Sequence, residues 1–154
     1  YFAGLRVGEI AALTNGDVFD AEGQVRDQIL LKAAYTKGNH ARTVFVGKKL
    51  QREIERFKVS GSRTLSPDTS LLLTQKRTAF SPNTLCQLFG ELYRKAGLDG
   101  ATSHSGRRSF ITKLAHAGVS AKVIMTLAGH KHLGTTQRYI DVNDEMMRQA
   151  VEVV

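Results

Sequence analysis

The sequence predicts a mostly helical α+β domain with a small antiparallel β-sheet near its N-terminus. Three observations predict it: apolar residues recur at helical spacing through most of the chain, residues 28–46 switch to strand-like runs around a Gly/Asn turn cluster, and caps and stops punctuate the helical segments. Phe2, Leu5, Ile10 and Leu13 stand at near-helical spacing before Asn15-Gly16, so a short helix is expected within residues 1–15, with a stop there. Its start shows no cap, and the natural chain is expected to extend upstream of Tyr1. Residues 28–35 and 41–46 read as strands flanking Thr36-Lys37-Gly38-Asn39-His40, a hairpin with Lys37 at its tip.

Leu50, Ile54 and Phe57 then mark an amphipathic helix over residues 48–57, and residues 60–69 read as a polar loop. Asn83 is expected to cap a helix through Ala96 that ends at Gly97 and turns Leu85, Leu88, Phe89 and Leu92 inward. A further helix is expected from about His104 to His116, stopping at Gly118, and Ser120 caps another through Ala128, closed by Gly129. After Thr135-Thr136 a short helical turn carries Tyr139, and Asn143 can cap the last helix, where Asp144 and Glu145 suit the positive N-terminus.

The chain has 154 residues, 42% hydrophobic and 23% charged with two prolines, which fits one domain with a sizeable core and excludes disordered and collagen-like classes. No apolar run approaches the roughly 20 residues of a membrane span, and Tyr1 does not open a signal peptide, so no membrane partner is expected. A lone cysteine, Cys86, cannot form an internal disulfide, and a reducing, cytoplasmic setting is expected. Lys and Arg number 22 against 14 Asp and Glu, a net charge of +8, which makes nucleic acid the leading partner; the plainer alternative is a merely basic soluble protein.

Nucleotide-binding Gly-rich loops, HExxH and GxSxG are missing, and the carboxylates are scattered, so neither a metal nor another cofactor is expected. His130 and His132 lack a third ligand at zinc spacing. What remains is a cationic set. His104 and Arg107 share a helix face, and Arg6 has Glu9 one turn away to fix its guanidinium. Lys37 is on the hairpin tip, His130 follows a helix end, and Tyr139 lies nine residues later. Together they could build a metal-free phosphoryl-transfer site. Each has a plainer reading: a surface ion pair for Arg6 with Glu9, a solvated face for His104 and Arg107, an ordinary turn for Lys37, a core aromatic with its hydroxyl at the rim for Tyr139.

In order along the chain, Gly4-Leu5-Arg6-Val7-Gly8-Glu9-Ile10, Thr36-Lys37-Gly38-Asn39, His104-Ser105-Gly106-Arg107-Arg108-Ser109-Phe110, Leu127-Ala128-Gly129-His130 and Thr135-Thr136-Gln137-Arg138-Tyr139 resemble the tyrosine recombinase (phage integrase) family. The most specific part is Gly-His followed nine residues later by tyrosine through Thr-Thr. The sequence departs from the family at Gly106, where leucine is common, and at Arg108, where a second histidine is frequent; neither is a catalytic position. The resemblance implies that residues 1–154 are a catalytic domain, N-terminally truncated, whose upstream DNA-clamping domain lies outside this chain. It implies that Arg6, Lys37, His104, Arg107 and His130 surround a scissile phosphate of double-stranded DNA, that Glu9 supports them and that Tyr139 attacks. It further implies a homotetramer on paired DNA sites, with accessory DNA-bending proteins as a further class of partner.

The chemistry fits those roles. An ordinary tyrosine, with a pKa of about 10, is only about one part in a thousand phenolate at neutral pH, and His104 is the candidate base. Planar guanidiniums suit the charge that grows on nonbridging oxygens, which assigns it to Arg6 and Arg107 with His130 as a further donor. The resemblance puts Lys37 beside the leaving 5′-oxygen as general acid. The product is a 3′-phosphotyrosyl link that a second 5′-hydroxyl can reverse, giving strand exchange without ATP. Two alternatives stay open: relaxation of the type IB topoisomerase kind, and a non-catalytic DNA-binding module.

Overall fold

The computed structural model describes residues 1–36, 38–60, 66–140 and 144–153. Lys37, the expected hairpin tip, lies outside the described residues, as do residues 61–65 of the expected polar loop and Asn143, the expected last cap.

Glu9 fixes the first helix. It stands at the third position of α1 (Val7–Ala12), and its carboxylate accepts a 2.8 Å hydrogen bond from the Arg6 backbone N–H, the reciprocal half of a capping box. The short helix expected within residues 1–15 is therefore Val7–Ala12, and unlike the expectation it does have a cap. Asn15-Gly16 does not end the helical region. Thr14 accepts from the Asp17 N–H, and a second turn, α2 (Asn15–Val18), begins there. The Asn15 and Gly16 N–H groups, which a helix start leaves without helical partners, donate to the distant carbonyls of Thr69 and Pro67, each at 2.9 Å. A tertiary contact thus overrode the stop signal.

Strands β1 (Gln28–Leu31) and β2 (Arg42–Phe45) pair antiparallel, Leu31 opposite Arg42 and Gln28 opposite Phe45. Both are shorter than expected. The first ends early because Ala33–Tyr35 tighten into a 3-10 turn, with the Thr36 N–H closing onto the Ala33 carbonyl. Alternation turns Ile29 and Leu31 into the core and leaves Leu30 outside. On β2, Arg42 stands two residues before buried Val44 and so shares its inward face.

Helix α3 (Lys48–Ser60) packs Leu50 and Ile54 against the core that Ile29, Leu31 and Val44 enter. Helix α4 (Pro82–Lys95) is capped by Ser81, whose hydroxyl accepts from the Thr84 N–H at 3.1 Å, and not by Asn83; the rigid φ of Pro82 suits the first helical position. Leu85 is buried and Leu88 and Phe89 half-buried, but Leu92 is exposed, because the far half of α4 stands clear of the core.

The remaining helices are α5 (Ser105–His116), α6 (Ala121–Ala128), α7 (Leu133–Gln137) and α8 (Asp144–Val151). Ser120 and Gly129 bound α6 as expected. Thr135 and Thr136 lie within α7, and Tyr139 sits in the turn just after it, its N–H donating to the Thr136 carbonyl.

Among the described residues two clusters hold most of the buried side chains. Ala3, Leu13, Val18, Phe19, Val25, Ile29, Leu31 and Val44 form one; Ile111, Ala115, Ile124 and Ala128 form the other, with Tyr139 and Ile140 packed against it. No described helix is long and apolar enough to cross a membrane.

Candidate active site

The site is built where α6 ends against the first core. Gly129 closes α6 in the left-handed region, φ +64°, and a helix end leaves its last carbonyls without helical donors. Three guanidiniums from three different elements take them: Arg42 Nη1 donates to Leu127 O at 2.8 Å, Arg107 Nη2 to Ala128 O at 2.6 Å, and Arg6 Nη2 to Gly129 O at 3.1 Å. Cations there also meet the negative end of the helix dipole.

Glu9 ties two of the three together. Its carboxylate is 1% exposed; Oε1 accepts from Arg6 Nη1 at 2.9 Å, and Oε2 accepts from Arg42 Nη2 and from the Arg6 N–H, both at 2.8 Å. Arg6 with Glu9 is thus no solvated surface pair. Arg107 is also buried, and its Nη1 donates to Gly4 O at 2.5 Å. Gly4 has φ +60°, and a Cβ there would collide with the Phe110 ring of α5, so only glycine brings that carbonyl so close to the helix carrying Arg107.

His130 follows the Gly129 turn, and its Nδ1 lies 2.8 Å from the hydroxyl of buried Thr136. Its ring lies near-parallel to that of Tyr139, with centroids 6.2 Å apart and planes inclined by 24°. Tyr139 is half-buried and packs against the second core. Burial, followed by repulsion from Arg107, Arg6 and Arg42, pushes the His130 pKa down to about 4. Burial pushes Arg107 down to about 10, with Arg6 adding repulsion, and Arg107 still remains charged at neutral pH. Burial likewise lowers Arg42, which Glu9 opposes.

Arg6, Glu9, Arg107, His130 and Tyr139 therefore come together. His104 is exposed at the N-cap of α5, one turn before Arg107, so two residues three apart in sequence differ sharply in burial. A cleft of about 550 Å³ opens beside the cluster, lined among others by Arg6, His40, Arg42, His130 and Lys131, and bounded by the hairpin connection that holds Lys37 in sequence. Asp17 serves as a helix cap bonded to Thr14, and among the described residues no three His, Cys, Asp or Glu side chains converge as a metal site.

Sequence reasoning missed Arg42 and did not assign Thr136 a partner. Arg42 reads as an ordinary strand residue, and only the inward face of β2 carries it to Glu9. Thr136 could have been found from its place in Thr-Thr, one helical turn from His132 and six residues from His130.

The sequence matches the Phage integrase family over residues 1–146, and the chain belongs to that family. The tyrosine recombinase XerA of Pyrococcus horikoshii is 33% identical, over 99% of this chain and 51% of the relative. A crystal structure of XerA recombinase superposes with a TM-score of 0.73 at 26% identity, covering 97% of this chain and 53% of that one. The Tn1549 transposon integrase, solved in complex with a circular intermediate DNA, shares the fold with a TM-score of 0.74 at 20% identity, over 99% of this chain and 55% of its own. The chain spans about half the length of the curated relatives it matches.

Proposed function

We propose that residues 1–154 are the catalytic domain of a site-specific DNA recombinase that breaks and rejoins double-stranded DNA through a 3′-phosphotyrosyl intermediate, with its DNA-clamping domain outside this chain. One observation carries the reading: two guanidiniums from distant parts of the sequence, Arg6 and Arg107, meet at the end of α6, where His130 lies against Tyr139. Relatives named as tyrosine recombinases, and DNA-bound neighbours of the same fold, support it.

In this reading Tyr139 Oη attacks phosphorus, its proton passing to a base, and a P–O bond forms as the bond to the 5′-oxygen breaks. Arg6 and Arg107 bind the nonbridging oxygens with paired donors in a partly dehydrated site, where such bonds strengthen. His130, neutral at neutral pH, supplies a further donor while Thr136 holds its ring. His104 is the proposed base and Lys37 the proposed acid for the leaving oxygen. A second base reading follows from the stacking of His130 on Tyr139, which puts that imidazole next to the nucleophile. The assembly proposed is a tetramer on paired sites, served where needed by DNA-bending proteins.

The test uses the full-length protein on a nicked duplex whose cleaved end diffuses away. A covalent protein–DNA adduct should accumulate, and Tyr139→Phe should form none. An adduct on Tyr139→Phe at the normal rate overturns the reading.

A further inference from the structure

We propose that Arg42 is a positioning residue of this site: it locks Glu9 to the end of α6 and so sets the guanidinium of Arg6. The inference rests on the function proposed above and adds to it a residue that no catalytic motif marks. Arg42 reaches the site from the inward face of β2, and its two terminal nitrogens are committed, Nη1 to Leu127 O and Nη2 to Glu9 Oε2, each at 2.8 Å. Arg6 uses the same two supports, Glu9 Oε1 and the Gly129 carbonyl two residues beyond Leu127. The pair is therefore coupled twice, once through a carboxylate and once through a helix end. Both arginines engage both terminal nitrogens, but the Arg42 side chain is 12% exposed against 28% for Arg6, so Arg6 is the one that faces a phosphate and Arg42 acts through it.

Two further features fit a guanidinium held in place for alignment. The Arg42 side chain, 12% exposed, spans from β2 to the end of α6, so the fold holds it in one place. A Cβ at residue 129 would stand 2.6 Å from Arg42 Cδ and Nε, so Gly129 makes room for it. Lysine, a single point of charge, cannot hold the carboxylate and the carbonyl in the same forked geometry.

The experiment is a double-mutant cycle on the full-length protein, reading the single-turnover cleavage rate of a nicked duplex at saturating protein, with DNA affinity measured in parallel. Arg42→Ala should slow cleavage roughly 10- to 100-fold, as misalignment by a fraction of an ångström does, while affinity changes less than about threefold. Arg6→Ala combined with Arg42→Ala should be no slower than Arg6→Ala alone, within about threefold, because the second residue acts through the first. Arg42→Lys should recover part of the rate. If Arg42→Ala does not fold, the same cycle run with Arg42→Lys and Arg6→Lys gives the coupling. A double variant slowed by the product of the two single effects overturns the inference, as does an affinity loss as large as the rate loss. Either result, with no adduct on Tyr139→Phe, leaves the proposed function standing; an adduct on Tyr139→Phe removes the function itself.

Discussion

His130 is half-buried beside three arginines, and the sign of its response to pH follows from that company. Burial and the repulsion of Arg107, Arg6 and Arg42 favour the neutral ring, so its pKa falls from 6.5 to about 4. An unfolded chain takes up this proton near 6.5 and the folded one only near 4, so folding stability drops as pH falls through that window and is unaffected by His130 above it. In the proposed complex a phosphodiester seated between the arginines would cancel part of the repulsion. In an NMR titration of the full-length protein the His130 ring should titrate near 4 alone and at clearly higher pH when Tyr139→Phe is bound to uncleaved DNA. An unchanged midpoint would separate His130 from the phosphate. Tyr139 is legible at this scale from its spacing to His130, whereas the burial of Arg107 is not, since a His-x-x-Arg face looks the same when solvated.

At the level of elements, α6 matters for how it stops. Gly129 is needed twice, for its left-handed φ and for the space that Arg42 fills, whereas Gly97 ends α4 with φ +70° and open space around it. Gly97→Ala should cost about 1 kcal/mol of stability, the ordinary left-handed penalty, and leave cleavage unchanged. Gly129→Ala carries the same penalty and also displaces Arg42, so it should destabilise more and slow cleavage at least tenfold. Urea unfolding and cleavage rates on both variants check this; equal effects would mean that Arg42 yields without consequence. The ends of α6 were readable from Ser120 and Gly129, but α4 shows the limit: Ser81 and Asn83 are both good caps, and Pro82 between them decides for the first.

Across the whole molecule, the two apolar cores meet at a polar seam. Arg6 and Arg42 come from the first and reach the α6 end of the second, while Arg107 reaches back to Gly4. Glu9 neutralises part of that charge, and removing one partner of a buried ionic group leaves the others uncompensated. Glu9→Ala should therefore destabilise the protein by about 3 kcal/mol. Glu53, paired with Arg56 on the exposed face of α3, is the control, and Glu53→Ala should cost less than about 0.5 kcal/mol. Both are i,i+3 pairs of one arginine with one glutamate, and chemical denaturation should separate them clearly. Similar losses would show that the seam contributes no more than a surface pair.

The sequence by itself determined the class of fold and the order of most helices from apolar spacing and caps, and it named Arg6, Glu9, Arg107, His130 and Tyr139, which the fold brings together, because each of these rests on local periodicity or on a motif of a few residues. Tertiary structure alone decided that Asn15-Gly16 starts a helical turn against residues 67–69 and that Arg42 joins Glu9 across 33 residues of chain. The reason is the same in each case. A backbone or guanidinium donor takes whichever acceptor the packed chain brings within about 3 Å, and no local pattern says which distant carbonyl that will be.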